Sequence, residues 1–153
     1  MASSDGKVEV EVEVKSNAEK FWSTLKDCAT IFPKAFPYDY KSIEILEGDG
    51  KTAGSIRLVT FGEGSPLVKI TKEKIDVFDD SKRTLTYSVI DGDLLKYFKK
   101  FKGHISVTPK GDGSLVKWSS EFEKGSHEVP ESELIKEFAV KTFLKVDDYT
   151  LNA

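Results

Sequence analysis

The sequence predicts an α+β protein: an antiparallel sheet of seven strands with one long C-terminal helix lying against it. Three observations predict this. Read at 100° per residue, the stretch Pro130 to Leu151 places Ile135, Phe138, Ala139, Thr142, Phe143, Val146 and Tyr149 on one side and most of its charges elsewhere. Lys7 to Lys15 alternates strictly, with valines at 8, 10, 12 and 14 and glutamates at 9, 11 and 13, the pattern of a strand with one wet face. Between Asp39 and Lys124 nearly every stretch reads as a strand separated from the next by a turn, so the strands join as hairpins and the sheet is antiparallel.

The elements follow in order. After the valine strand, Ser16-Asn17-Ala18-Glu19 matches a capping box, with Phe21, Trp22 and Leu25 at helical spacing behind it. A second short helix is expected over Asp27 to Lys34, broken by Pro33 and Pro37. Strands follow around Ile43 and Ile45, over Ile56 to Phe61, from Leu67 to about Phe78, over Thr84 to Asp91, through Phe101, Ile105 and Val107, and over Ser114 to Lys124. The last helix is about 20 residues, or roughly 30 Å, long and needs an apolar surface of matching length.

Composition narrows the function classes. A chain of 153 residues, 39% hydrophobic and 32% charged, reads as a single domain over 1–153 with a real core. A net charge of −3 gives no electrostatic footprint for nucleic acid. Cys28 is the one cysteine, so no internal disulfide forms and a reducing compartment is expected. With no signal-peptide pattern and no run of ~20 apolar residues, the expectation is a soluble, cytoplasmic protein without stable membrane insertion.

Few residues carry recognisable chemistry. Gly50-Lys51-Thr52 ends like a phosphate loop, but Ile45 occupies the first glycine position and a strand follows where a helix is required. The glycine loop therefore reads as a hairpin, with a gate or an anion contact as the alternative. His104 and His127 have no identifiable nucleophile beside them, and Cys28 has no base, so no catalytic residue is assigned. Metal-ligand spacing is absent and no cofactor is implied. Asp147, Asp148 and Tyr149 read as helix-surface charge beside a core tyrosine, or as an acid site. Lys96, Lys99, Lys100 and Lys102, set among Tyr97, Phe98 and Phe101, read as a solvated strand edge, or as a patch for single-stranded nucleic acid.

The inward rows say more. Leu85, Tyr87, Val89, Phe101, Ile105, Val116, Trp118 and Phe122 would face the helix, yet Gly103, Ser120 and Thr71 stand in the same rows, where a filled core favours large apolar groups. These positions are expected to mark a cavity. If Val59 and Phe61 point inward so does Arg57, and the next strand's inward row then carries Leu67, Lys69 and Thr71. A buried Arg57 or Lys69 requires a partner, which an acidic ligand head or an internal carboxylate would supply equally well.

The words of the sequence also resemble a known family. Val8-Glu-Val-Glu-Val-Glu-Val14, Phe32-Pro-Lys-Ala-Phe36, Tyr40-Lys-Ser-Ile43, Leu46-Glu-Gly-Asp-Gly-Lys51, Gly54-Ser-Ile-Arg57, Tyr87-Ser-Val-Ile-Asp-Gly-Asp-Leu-Leu-Lys-Tyr97 and Leu115-Val-Lys-Trp118 are similar to the plant major latex proteins, a branch of the birch-pollen-allergen superfamily of pathogenesis-related proteins. The resemblance spans essentially the whole chain. It implies a helix-grip (START-like) fold: a seven-stranded antiparallel sheet wrapped around the long C-terminal helix, two short helices and an internal cavity. It also implies a binding or carrier protein for a hydrophobic or amphipathic ligand of lysophospholipid, fatty-acid, sterol or flavonoid type, linked to defence and stress. It favours Arg57, Val59 and Phe61 pointing inward. The expected ligand-binding residues are Arg57, Val59, Phe61, Leu67, Lys69, Leu85, Tyr87, Phe101, Trp118, Phe138, Thr142, Phe143 and Val146.

Two departures matter. Lys51 replaces the third glycine of the superfamily's loop. The carboxylate invoked for ribonuclease relatives after the Asp-Gly turn is missing, because Leu94 to Gly111 contains none. Nor does the sequence match the lysine and acids of lyase-type relatives. An enzyme of the same fold, or a ligand-dependent signalling partner, stands as the alternative.

Overall fold

The computed structural model describes residues 5–65, 68–124 and 132–153. Seven strands form one antiparallel sheet: β1 (Asp5–Val14), β2 (Tyr40–Glu47), β3 (Ile56–Phe61), β4 (Ile70–Asp79), β5 (Thr84–Gly92), β6 (Phe98–Lys110) and β7 (Gly113–Lys124). Their order across the sheet is β1-β7-β6-β5-β4-β3-β2, so every pair except β1 and β7 is a hairpin neighbour in the chain. β1 and β2 form the two edges, and between them in sequence lie helices α1 (Ala18–Lys26) and α2 (Cys28–Ala35). Register shifts in β2, β4 and β6 break the ladder locally, the kind of irregularity that bends a strand and increases its twist. The long helix α4 (Ser132–Asn152) lies against β1 and α1 and covers the inward face.

The valine row of β1 is pinned as its alternation requires: Val8, Val12 and Val14 are buried, and Glu9, Glu11 and Glu13 are exposed. The ends of the elements differ from the expectation in instructive ways. Asn17, not Ser16, caps α1, its Oδ1 accepting from the Lys20 amide at 2.9 Å. Ser16 is engaged elsewhere. Pro33 does not break α2; it sits within the last turn, where it removes one intrahelical donor, and the Phe36 amide closes the helix on the Phe32 carbonyl at 2.7 Å. A single helical turn, α3 (Leu94–Tyr97), precedes β6 where continuous strand was expected. β4 begins at Ile70; Leu67, the expected strand start and an expected ligand contact, lies outside the described residues, as do His127 and Pro130.

The second half of α4 is fixed by a buried carboxylate. Asp147, read from sequence as surface charge or an acid site, is only 7% exposed. It accepts from the backbone amides of Lys15 (3.0 Å) and Ser16 (2.9 Å) and from the Ser16 hydroxyl (2.6 Å). The Ser16 carbonyl in turn accepts from Ser114 at 2.6 Å. Burial pushes the Asp147 carboxyl up, but the Ser16 hydroxyl and the two amides outweigh it and hold the group below its ordinary value. Phe143 packs against Phe21, and Thr150 bonds Thr24 at 2.8 Å, so this half of the helix is welded to β1 and α1. Val146 is fully buried in that weld.

Candidate functional site

A cavity of about 410 Å³ lies between the first half of α4 and the inward face of the sheet, within the ~300–1,000 Å³ span of small-molecule sites. From the sheet come Ile43, Val59, Phe61, Thr71, Leu85, Phe101, Ile105 and Trp118, and from α4 come Ile135, Phe138, Ala139, Thr142 and Phe143. Leu25, Cys28 and Phe32 close it on the side of α1 and α2. Three rings, Tyr40, Phe61 and Phe138, pack with centroids 5.5 to 5.8 Å apart, one from each of β2, β3 and α4. Leu134 and Glu137 of α4 are exposed yet also line the space, together with Gly64, Ser65, Val68 and Leu94, which places its mouth between α4, the β3–β4 connection and α3.

One end is polar. Arg57 is 7% exposed, and its Nη2 donates to Glu73 Oε1 at 3.1 Å across the β3–β4 pair. Its Nη1 lies 3.1 Å from Cys28 Sγ. Of the two partners open to Arg57 from sequence, the protein itself supplies the internal carboxylate. Burial pushes the Glu73 carboxyl up from the ordinary range, and Arg57 offsets only part of that. Burial likewise pushes the Cys28 thiol up. The Tyr40 hydroxyl shares a 3.1 Å hydrogen bond with Thr142, and the Tyr87 hydroxyl accepts from Trp118 Nε1 at 3.3 Å. Burial raises both phenols, so they are neutral at physiological pH.

A second charged group stands near the mouth. Asp39, with no exposed surface, pairs with Lys141 at 2.8 Å and with Lys145, both on α4. Burial alone would raise the Asp39 carboxyl; the two lysines more than reverse this and lower it. The Asp39 carbonyl also accepts from the Gly62 amide, so the same residue ties α4 to the loop leaving β3.

The structure gathers Arg57, Val59, Phe61, Leu85, Tyr87, Phe101, Trp118, Phe138, Thr142 and Phe143 around the cavity. Lys69 differs: its side chain is exposed, and only its backbone is engaged, the amide donating to Asp93 at 2.7 Å. It lies just before β4, where the Phe61 amide donates to its carbonyl at 2.8 Å. Val146 also lies outside the lining, one turn beyond Thr142 and Phe143 in the packed half of α4.

Of the small residues read as cavity markers, Thr71 alone lines the space. Gly103 makes room for a ring instead, since a Cβ there would come within 2.3 Å of Tyr87 Cζ. Ser120 is buried in the sheet beside it. Glu73, Cys28 and Tyr40 were missed as lining residues. For Glu73 the signal was present: it stands two residues after Thr71 on the same face of β4.

The remaining motifs are tied into the protein's own hydrogen bonds and ion pairs. In the glycine loop Asp49 Oδ1 accepts from the Lys51 and Thr52 amides (each 2.8 Å), and the Thr52 and Ser55 hydroxyls also donate to it. Donors that would hold an external anion are thus occupied by the loop's own carboxylate. Gly48, Gly50 and Gly54 supply the positive φ angles of this turn. In the basic-aromatic stretch Phe98 and Phe101 are buried, while Lys96, Lys99 and Lys102 pair with Asp93, Glu123 and Asp76. His104 bonds Thr86 at 2.9 Å and faces Glu121 across the outer surface. No group of three or more metal-ligating side chains occurs among the described residues.

An antiparallel sheet covered by a long helix over an apolar chamber defines the helix-grip class, a ligand-binding fold. The chain belongs to the pathogenesis-related protein Bet v 1 family, whose model matches residues 3–153, and within it to the MLP-like branch. It is 57% identical to MLP-like protein 423 of Arabidopsis thaliana over 146 residues, covering 95% of this chain and 94% of that one. It is 38% identical to a protein named ribonuclease 1 of Panax ginseng, covering 95% and 97% of the two chains. Among solved structures, the ginseng major latex-like protein 151 superposes with a TM-score of 0.80 at 24% identity, over 96% of this chain and 98% of that one, a likeness of fold. Ligand binding and a link to defence are general for the family. Among the described residues no helix is long and apolar enough to cross a membrane.

Proposed function

We propose that the protein is a binding and carrier protein that encloses a small hydrophobic or amphipathic ligand in this cavity, serving a defence or stress response, and is not an enzyme. The observation that carries the reading is the chamber itself: about 410 Å³, walled by aliphatic and aromatic side chains and polar at one end. Burial of apolar ligand surface there, at ~25 cal/mol per Å², supplies the driving force. Lysophospholipids, fatty acids, sterols and flavonoids are the classes to test. An acidic head is not the natural complement of the polar end, because Arg57 is already neutralised by Glu73 and Lys69 lies outside.

The reading is tested by replacing Thr142 with Trp, which fills the chamber from the helix side, and titrating one representative of each class. Binding of at least one class below about 100 μM by the native protein, and its loss in the variant with the thermal midpoint nearly kept, is the expected result. Equal affinity in both proteins would move the site elsewhere.

One observation favours a second reading. A buried glutamate with a raised pKa in a cleft is a recurrent general acid–base arrangement, and a relative carries the name ribonuclease. RNA turnover abolished by Glu73→Gln in highly purified protein would replace the carrier reading. The absence of turnover, or turnover indifferent to this change, would leave it standing.

A further inference from the structure

We propose that the polar end of the cavity is a subsite for a neutral hydroxyl group, alcohol or phenol, with Thr71 Oγ1 as its first partner, and that it discriminates against a carboxylate. The proposal rests on the cavity reading above and deepens it. Thr71 is 1% exposed, lines the cavity, and its Oγ1 has no hydrogen-bond partner among the described residues. Arg57 Nε is buried and likewise unpartnered. A buried hydroxyl left without a partner is costly unless something in the occupied state completes it, so its place in the cavity wall calls for a complement.

The register brings these groups together. Arg57 stands opposite Glu73 and Val59 opposite Thr71, so Thr71 is the inward neighbour of Glu73 on β4, roughly 7 Å along the strand. Tyr87, on the adjoining strand, stands opposite Ile75 rather than Thr71, and its ring lies over Gly103 with the hydroxyl on Trp118, so it is not part of the subsite. Thr71 Oγ1 is itself both a donor and an acceptor, the complement of a ligand hydroxyl.

At this end of the cavity, away from the Lys141–Asp39 pair at the mouth, charge disfavours the alternative. The Arg57–Glu73 pair is already balanced, and a ligand carboxylate beside it would leave one uncompensated negative charge in a space of low dielectric. A neutral hydroxyl adds no charge.

Three probes of similar size separate the contributions: 2-naphthol, 2-methylnaphthalene and 2-naphthoate, each titrated by its own fluorescence against the full-length protein at pH 7. We expect 2-naphthol to bind about tenfold more tightly than 2-methylnaphthalene, and 2-naphthoate to bind more weakly than either, as one completed buried hydrogen bond predicts. Thr71→Val keeps the side-chain shape. It should weaken 2-naphthol about tenfold while changing 2-methylnaphthalene less than twofold, and Thr71→Ser should restore the preference. Tightest binding by 2-naphthoate, or equal losses of both neutral probes in Thr71→Val, would overturn the subsite. Equal affinities for all three probes would remove the subsite and keep the cavity. No binding of any probe would remove both.

Discussion

Asp147, on α4, and Glu73, beside the chamber that α4 covers, are both largely buried carboxylates, and they are treated in opposite ways. Asp147 accepts from two backbone amides and a hydroxyl, and its pKa falls. Glu73 is held by one guanidinium, and its pKa rises. The first is saturated with donors and can only hold structure, joining the last helix to the first strand. The second sits with Arg57 and Thr71 in a cluster that still has unpartnered atoms, an arrangement that serves a ligand better than it serves the fold.

The largest expected effect comes from leaving Glu73 alone. Arg57→Met should cost about 3–5 kcal/mol in urea unfolding at pH 7, whereas Arg57→Met with Glu73→Leu should return to near the native value, because burying the pair was itself costly. The sign with pH follows from the raised carboxyl: the single variant's deficit should shrink as pH falls and the orphaned glutamate takes up its proton. A deficit independent of pH would show that Arg57 acts by packing alone.

Next comes Asp147→Asn, expected to cost about 2–3 kcal/mol through loss of charge-assisted bonds. Its pH dependence runs the other way. A carboxyl held below its ordinary value contributes stability above about pH 4 that is lost as pH falls through the folded value, so native and variant proteins should converge in acid. Failure to converge would contradict the clamp.

The smallest effect distinguishes neighbours. Ser16→Ala should cost more, about 1–2 kcal/mol, than Asn17→Ala at about 0.5–1 kcal/mol, because Ser16 belongs to the clamp and Asn17 to an exposed cap. Thermal unfolding resolves the pair. The reverse order would restore Ser16 as the cap.

The same contrast explains what was legible in the sequence. Alternation in β1 and the spacing of α4 reveal faces, because burial recurs with the period of the backbone, and the strand order follows from short turns. The facing of β3 was ambiguous from its residues, since both its sides are apolar, and the family resemblance favoured the orientation observed. Asp147 could not be read, because its partners lie 131 and 132 positions away and nothing local separates it from the exposed Asp148. Lys69 misled because pairing with β3 reaches its backbone while its long side chain stays exposed at the strand's start, and Ser16 because a capping motif is satisfied equally well by its neighbour.

Gly103 has no side chain and does not line the cavity, yet it sets one of its dimensions. Tyr87 lies over it so closely that a single added methyl group would have to displace the ring. The ring's other side borders the ligand space, so alanine at 103 would act as a shim driven in from behind, thinning the chamber without altering any atom a ligand touches. Ligand size would then be adjustable from the sheet backbone, independently of the polar groups that read the ligand's chemistry.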